Sequence, residues 1–143
     1  MRNQIPKYYM AKLFNISEAS NIAVHALALI SSSDRPLNTS KLSEMLGLSR
    51  NHIAKVLQTL TRYGIVTSDR GPKGGFTMLV KTDEISVFEI CELIDGKFEP
   101  EHCRRHNNEC PFEVCVYGPE RQRLYEDFKH YYSNRKLSHL KIA

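Results

Sequence analysis

Three of the four cysteines lie close together between residues 98 and 119, in a stretch without helical periodicity. They are Cys103, Cys110 and Cys115, separated by six and four residues. Thiolates can converge on an iron–sulfur centre when the chain between them is irregular, and Pro111 favours such a loop. Zinc ligand pairs usually have about two to four intervening residues, so the spacing fits zinc only in part. The residues alone leave a metal centre and a thiol redox switch open.

The cellular compartment decides how these thiols behave. No run approaches the ~18 apolar residues of a membrane span, and no hydrophobic stretch follows the basic N-terminal residues as in a secretory signal. We therefore expect a cytoplasmic protein without a membrane partner. Cytoplasmic thiols stay reduced, so the cysteines are expected to be ligands, sensors or core residues. The fourth, Cys91, falls on an apolar helical stripe and is expected to pack as a small hydrophobic residue.

A second chemically active set lies on a predicted helix that begins after Ser49, its expected cap. The apolar positions of this helix follow the i, i+3, i+4, i+7 rule: Ile53, Val56, Leu57 and Leu60. The opposite face carries hydrogen-bond donors near the N-terminal end, where a recognition helix meets base edges in the major groove. The expected DNA-binding residues on it are Ser49, Arg50, Asn51, His52 and Lys55. A solvated helix face is the alternative.

The next segment, residues 65–79, argues for DNA contact. Two short strand patterns bracket the sequence DRGPKGG, which is basic and rich in glycine. Its glycines allow close backbone approach, while Arg70 and Lys73 are the expected contacts with phosphates or the minor groove. A basic hairpin alone is a weak signal, but directly after a helix-turn-helix it predicts a wing.

Apolar periodicity predicts the helices that must hold these residues. A largely apolar core helix spans residues 17 to about 32, with Ser17 as its cap. A short helix follows, capped by Thr39 or Ser40, and Gly47 supplies the turn into the donor-bearing helix. Two helices joined by a short turn containing glycine are typical of a helix-turn-helix. The inward residues of the short helix are predicted to be Leu42, Met45 and Leu46.

Two further helices are predicted after the hairpin. The first spans residues 86–95 and is closed by Gly96. The second spans residues 120–134, and its stripe is rich in aromatic residues: Leu124, Tyr125, Phe128, Tyr131 and Tyr132. Such a stripe must bury against something, and a second copy of the helix is the favoured partner, with packing on its own domain as the alternative. A twofold dimer would present two recognition helices to successive major grooves.

The expected fold is therefore mainly α with a small β-hairpin wing: a winged helix-turn-helix plus a long C-terminal dimerisation helix. A chain of 143 residues is long enough for one such domain. The expected divisions are a flexible leader, the winged helix-turn-helix DNA-binding domain, a cysteine-rich cluster loop, and the dimerisation helix with its tail, at residues 1–12, 13–96, 97–119 and 120–143.

The net charge and the motifs of the sequence narrow the range of possible functions. The net charge of +4 permits contact with a polyanion but does not require it. The chain has no nucleophile elbow, no phosphate-cradling glycine motif before a helix and no catalytic His–carboxylate spacing. We therefore expect neither an enzyme nor a small-molecule substrate. The expected partners are double-stranded operator DNA and a second copy of the chain.

With these parts in order, the sequence resembles the Rrf-type family of bacterial winged-helix transcriptional regulators, which includes IscR, NsrR and CymR. The resemblance runs from about Leu13 to Leu140. Its most specific pieces are the three-cysteine loop and the sequences IAVHALALI, SRNHIAKVLQTL, RGPKGGF, ISVFEICELIDG and LSHL.

The resemblance implies a homodimer with an iron–sulfur cluster, [2Fe-2S] or [4Fe-4S], held by Cys103, Cys110 and Cys115 near the dimer interface. The spacing of these cysteines departs from the usual one. The family's fourth ligand is a histidine soon after the last cysteine or an acidic residue of the partner's first helix, and this chain has Gly118 and Asn21 there. The available substitutes are His25, Glu18, His102 and His106. His25 ranks first because it shares a helix face with Asn21; its alternative role is a partly buried packing residue.

The resemblance also implies a signal. The phrase SRNH at the start of the recognition helix looks more like NsrR-type than IscR-type members, which favours a repressor that senses nitric oxide, redox state or iron–sulfur status. The alternative is a cluster-free, CymR-like regulator that responds through thiols or a partner protein.

Overall fold

The computed structural model describes residues 16–98, 112–114 and 119–143. The expected leader, residues 1–12, lies outside these ranges. Within them the chain forms five α-helices, a hairpin and a short 3-10 helix at Leu137–His139. The bounds of the α-helices and strands are α1 Glu18–Ser31, α2 Thr39–Leu46, α3 Arg50–Arg62, β1 Val66–Asp69, β2 Gly75–Met78, α4 Val87–Asp95 and α5 Glu120–Asn134. This is the mainly α fold with a two-stranded hairpin that the sequence predicts.

Helix α1 is the centre of the hydrophobic core. Its first turn is capped by Ser17, whose hydroxyl accepts a hydrogen bond from the backbone N–H of Ser20 at 3.0 Å. Its apolar positions recur with helical spacing and are almost fully buried: Ile22, Ala23, Ala26, Leu27 and Ile30. Helices α2, α3 and α4 and strand β2 all contact α1, so the expected core helix is confirmed as the scaffold of the domain.

Helix α2 differs from the prediction in two details. The cap is Asn38 rather than Thr39 or Ser40, because the Asn38 side chain accepts a hydrogen bond from Lys41 N–H at 2.8 Å. Leu42 is fully buried, but Met45 is 48% exposed, so the inward orientation predicted for Met45 is wrong. The helix is only eight residues long, and its inner face is too narrow to bury Met45 with Leu42 and Leu46.

The turn between α2 and α3 forms as expected. Gly47 ends α2 with φ of 66°, in the left-handed region that favours glycine. On α3, the predicted apolar stripe is confirmed, since Ile53, Val56, Leu57 and Leu60 are all buried. Ser49 is the N-cap residue, as predicted, although its side chain makes no capping hydrogen bond.

The hairpin packs directly against the helices. Strands β1 and β2 pair antiparallel, with Val66 opposite Met78 and Asp69 opposite Gly75. On its other side Phe76 forms a bridge with Leu37, through hydrogen bonds of 2.9 and 3.2 Å. This bridge ties the wing to the segment that leads into α2.

Gly74 is required by the tight turn at the hairpin tip. Its N–H donates to Gly71 O at 3.0 Å, and a Cβ at this position would overlap the backbone carbonyl of Asp69. We expect Gly74→Ala to lower the free energy of unfolding by about 2 kcal/mol, because the turn must open.

Gly47→Ala is the matched control. Its Cβ would meet no atom, so only the left-handed backbone strain, about 1 kcal/mol, opposes it. Urea unfolding of both variants measures the difference. A smaller loss for Gly74→Ala than for Gly47→Ala would contradict the steric argument.

Helix α4 begins with a capping box. The backbone N–H of Glu89 donates to Ser86 Oγ at 3.2 Å, and Glu89 Oε2 accepts from both the Ser86 hydroxyl and N–H. These hydrogen bonds hold the pKa of Glu89 below its ordinary value. On the inner face Cys91 is 2% exposed, which confirms its expected structural role, and burial raises the pKa of its thiol.

Helix α5 spans the predicted residues, and the structure describes no fully buried side chain on it. In the tail that follows α5, Leu137 is fully buried. Leu137 N–H donates to Ile85 O, Val87 N–H to Arg135 O and Ser138 N–H to Thr82 O, at 2.9–3.0 Å. The chain therefore returns to the core after α5.

Candidate functional site

The outer face of α3 carries the side chains expected to read DNA. They are exposed and occupy the cap and the first two turns of the helix: Ser49, Arg50, Asn51, His52 and Lys55. Because Ser49 does not cap the helix with its side chain, the first N–H groups of α3 face outward without that partner. Such a helix end favours phosphate oxygens as hydrogen-bond acceptors.

The wing follows α3 with almost no spacer. Ile65 N–H donates to Leu60 O at 2.9 Å, so the chain turns straight from α3 into β1. At the far end of the hairpin, Arg70 and Lys73 are both exposed. The hairpin therefore carries Arg70 and Lys73 at its tip, and its first strand is joined directly to α3, which bears the other donors.

Positive charge is concentrated in residues 49–80, which contain α3 and the wing and are called the DNA-binding unit below. Residues 49–80 contain five Lys or Arg side chains, at 50, 55, 62, 70 and 73, and one carboxylate, Asp69, which gives them a net charge of +4. That equals the net charge of the whole chain, so the remaining residues are balanced. Within the described ranges, the ion pairs are Lys41–Glu44, Lys81–Glu84 and Arg123–Glu120, and none of them uses a cation of this unit.

The three loop cysteines, Cys103, Cys110 and Cys115, lie outside the described residues, as do His102, His106 and Gly118. The residues that the structure does describe contain no group of three or more His, Cys, Asp or Glu side chains that could hold a metal ion. The predicted ligand set therefore stays a prediction.

The start of the cysteine-rich loop is firmly held. Phe98 N–H donates to Glu92 Oε1 at 3.2 Å, and Phe98 O accepts from the Tyr125 hydroxyl at 2.6 Å. The Phe98 ring also packs between Phe88 and Phe128, with centroid distances of 5.7 Å to each. Helices α4 and α5 together thus fix the backbone five residues before Cys103.

His25 is exposed on α1, not partly buried as its packing role would require. Its Nδ1 lies 2.7 Å from the backbone oxygen of Asn21. Because a carbonyl oxygen can only accept, Nδ1 carries the proton and the neutral ring presents Nε2 as a free lone pair. Metal-binding histidines commonly have this arrangement. Glu18, the other substitute on α1, is exposed in the first turn.

Asp95 is a connecting residue that the sequence analysis did not identify. Its carboxylate accepts hydrogen bonds from Ser17 N–H at 3.1 Å and from the Ser20 hydroxyl at 2.7 Å. The last residue of α4, just before the loop, therefore holds the first turn of α1. The partners are 75 and 78 residues apart, so no local pattern could have indicated the contact.

A helix-turn-helix with an unpaired cationic outer face, followed at once by a basic hairpin, defines a winged-helix regulator. The chain belongs to the Rrf2 family, described as iron-dependent transcriptional regulators, whose family model matches residues 16–141. The predicted family is thus confirmed. Its members are transcriptional regulators rather than enzymes, as the sequence analysis expected.

Individual relatives agree with this assignment. The chain is 32% identical over 85 residues to the HTH-type transcriptional repressor NsrR of Streptomyces coelicolor, covering 59% of this chain and 57% of the relative. It is 27% identical over 90 residues to the transcriptional regulator IscR of Aliivibrio salmonicida, covering 63% and 50%. The chain thus spans about half to two thirds of the length of the curated relatives it matches.

Solved structures share the fold. CymR, the global cysteine regulator of B. subtilis, superposes with a TM-score of 0.67 at 19% identity, covering 87% of this chain and 94% of CymR. T. potens IscR gives a TM-score of 0.65 at 19% identity, covering 87% and 84%. In the part of this chain that the structure describes, no helix is long and apolar enough to cross a membrane.

Proposed function

We propose that this chain is a transcriptional repressor of the IscR/NsrR type that binds operator DNA as a homodimer. The observation that carries the proposal is the concentration of the chain's net positive charge on α3 and the wing, where it is exposed and free of ion pairs among the described residues. In this assignment Arg50, Asn51, His52 and Lys55 read base edges, and Ser49 contacts a phosphate. Arg70 and Lys73 reach phosphates or the minor groove.

The dimer contact is assigned to α5. This helix is long but none of its described side chains is fully buried, and Leu124 and Tyr131 are 37% and 58% exposed. A helix with exposed apolar side chains is stabilised by a matching surface, and a second α5 supplies one. Pairing two copies about a twofold axis would also place two α3 helices one helical turn of DNA apart.

We further propose that the regulator senses nitric oxide, redox state or iron–sulfur status through an iron–sulfur cluster bound by Cys103, Cys110 and Cys115, with His25 as the fourth ligand. Three thiolates are a suitable donor set for iron, and the free Nε2 of His25 suits a metal. When bound, the cluster would supply iron and sulfide that react with nitric oxide and oxidants.

The residues at the start of the loop can carry a signal from it to the DNA-binding unit. Phe98 joins the loop to α5 through Tyr125, and Asp95 joins it to α1 through Ser17 and Ser20. Helix α1 in turn packs against α3. A regulator of this type needs a difference of only about 1–3 kcal/mol between two arrangements.

A second candidate keeps the fold without the cluster, as a CymR-like regulator acting through thiols or a partner protein. The structural likeness to CymR supports it as far as the fold is concerned. The visible absorption spectrum of anaerobically purified protein separates the two candidates, because an iron–sulfur protein is coloured and a thiol protein is not.

The DNA-reading assignment predicts different effects for α3 and the wing. Arg50→Ala should weaken operator binding by about 1–3 kcal/mol and relax sequence preference, because it removes a base contact. Lys73→Ala should weaken binding to all sequences alike and lower the slope of log K against log salt by about one. Mobility-shift titrations with operator and scrambled DNA at several salt concentrations measure both. Equal losses on the two DNAs for Arg50→Ala would remove Arg50 from the base-reading set.

A further inference from the structure

Strand β2 begins in direct backbone contact with the segment that leads into α2. Phe76 N–H donates to Leu37 O at 2.9 Å, and Leu37 N–H donates to Phe76 O at 3.2 Å. Gly75, the first residue of β2, is buried at this contact. A Cβ at Gly75 would lie 2.7 Å from the carbonyl carbon of Leu37 and 2.9 Å from the backbone nitrogen of Asn38. Glycine is therefore required for the two backbones to approach this closely.

The atoms that face Gly75 belong to a backbone that is itself held in place. Asn38 is the N-cap of α2, and its side-chain oxygen accepts a hydrogen bond from Lys41 N–H at 2.8 Å. Its backbone oxygen accepts from Leu42 N–H at 3.0 Å, and Leu42 is fully buried in the core. A side chain at position 75 would therefore push β2 away rather than move α2.

The hairpin is attached to the helices at both of its ends. At its base, backbone hydrogen bonding joins the start of β1 directly to the end of α3. At its other end, Gly75 pairs with Asp69, the last residue of β1, so the contact with α2 lies at the last pair before the tip. Beyond this pair lie only residues 70–74, which include both tip cations, Arg70 and Lys73.

We propose that Gly75 is a positioning residue for DNA binding: its close contact with the start of α2 holds the wing tip at the distance from α3 at which both can contact DNA. The role rests on the proposed function, since it requires Arg70 and Lys73 to contact DNA. Gly75 itself is buried and acts through these two side chains. The residues that form the contact with α2 belong neither to α5 nor to the cysteine-rich loop.

The hairpin is too small to fix the orientation of its own tip. Each strand has four residues, and an isolated two-stranded hairpin is only marginally stable in water. A tip joined to the protein only at its base would have to be ordered on the DNA, and that ordering would lower the affinity. The contact with α2 orders the tip before DNA is bound.

Alanine at position 75 would break this contact. Carbon atoms in contact lie about 3.5–4.0 Å apart, so a methyl group there must displace β2 from Leu37 by roughly 1 Å. The two hydrogen bonds between Leu37 and Phe76 would then be too long to persist. The hairpin would keep its attachment to α3 at the base and lose its attachment to α2 near the tip.

A double-mutant cycle on the full-length protein tests the proposal. Mobility shifts measure the affinity for a DNA duplex that the wild-type protein has selected from a random-sequence pool. We expect Gly75→Ala to weaken binding on the order of tenfold, because the contacts of two cations are impaired. Added to a variant that already carries Arg70→Ala and Lys73→Ala, it should cause no further loss. A general disturbance of the helices would instead weaken binding equally in both backgrounds.

Leu37→Pro tests the same contact without a steric clash, and it keeps the test available if Gly75→Ala does not fold. Proline has no N–H, so the hydrogen bond to Phe76 O is lost. Leu37→Ala is the matched control, because it also removes the leucine side chain but retains the N–H. We expect Leu37→Pro to reproduce the loss caused by Gly75→Ala, and Leu37→Ala to bind as the wild type does. Circular dichroism establishes that each variant is folded.

Three results would overturn the proposal. If folded Gly75→Ala binds as the wild type does, or loses the same affinity with and without the tip cations, Gly75 does not position the tip. If Leu37→Pro and Leu37→Ala bind DNA equally well, the backbone bridge does not hold the wing. If removing both tip cations leaves wild-type binding unchanged, the wing does not bind DNA. That third result would also contradict the proposed function, whereas the first two leave the DNA contacts of the wing intact.

Discussion

Replacing Cys103, Cys110 and Cys115 together by serine should abolish iron binding and visible absorption, and should remove the response of operator binding to nitric oxide. The reason is ligand chemistry: serine hydroxyls stay protonated near neutral pH and do not replace thiolates around an iron–sulfur centre. Iron analysis, absorption spectroscopy and mobility shifts with and without nitric oxide on anaerobic protein measure these effects. The helix-turn-helix core lies outside the loop, so the variant should remain folded.

Cys91→Ser is the matched control for this variant. Cys91 is buried on α4 and burial raises the pKa of its thiol, so it stays protonated and serves the core rather than a metal. We expect it to retain iron and colour, with a modest loss of stability. If the triple variant still binds its operator and its binding still changes with nitric oxide, the cluster proposal is wrong. Colourless wild-type protein would favour the thiol alternative.

Leu57→Ala should cost about 3 kcal/mol of unfolding free energy, the largest stability effect we predict for a single substitution. Leu57 is fully buried on the inner face of α3, where it belongs to the core cluster built around α1. Truncation leaves a cavity in that core, because α3 is held on both sides by α1 and β1 and cannot collapse onto the gap.

Met45→Ala provides the comparison, since it removes an apolar side chain of similar size from a neighbouring helix. Because Met45 is 48% exposed, we expect a loss below about 1 kcal/mol. Urea unfolding at equal protein concentration measures both variants. Similar losses for the two would mean that Met45 is buried in solution, as its helical spacing alone predicts.

Periodic elements were the predictable part of this fold. Helix α3 has thirteen residues and a full inner stripe, so the positions of Ile53, Val56, Leu57 and Leu60 were sufficient to orient it. Helix α5 was bounded correctly because Pro119 and the aromatic spacing define it. Over helices of thirteen to fifteen residues, the apolar repeat predicts the extent and the buried face even where single positions depart from it.

Features that depend on one side chain or on distant contacts were not predictable. Asn38 and Thr39 are both good caps, and only the backbone geometry selects Asn38. Leu137 belongs to no repeat, and its burial depends on hydrogen bonding to Ile85, 52 residues earlier. Asp95 likewise accepts hydrogen bonds from Ser17 and Ser20, which lie 78 and 75 residues away along the chain.

The candidate site also contains some features that local sequence patterns predict and others that they do not. Donors on an exposed helix face and a basic hairpin are visible in sequence, because both follow from local patterns, and the structure describes them as exposed. The hydrogen bond between His25 Nδ1 and Asn21 O could have been expected from their spacing of four residues. Cys103, Cys110 and Cys115 show no such regularity, since gaps of six and four residues follow neither a helical nor a strand period.

The attachment of α5 has a mechanical consequence. Backbone hydrogen bonds anchor the chain just beyond its last turn, through Arg135 and Leu137, whereas Gln122 and Arg123 near its first turn are exposed. The helix is about 22 Å long, and its other half is held at the start of the cysteine-rich loop, where the Tyr125 hydroxyl donates to Phe98 O and the ring of Phe128 packs on that of Phe98. Because α5 is held at both of these places, a shift of Phe98 would load the whole helix between them rather than one side chain.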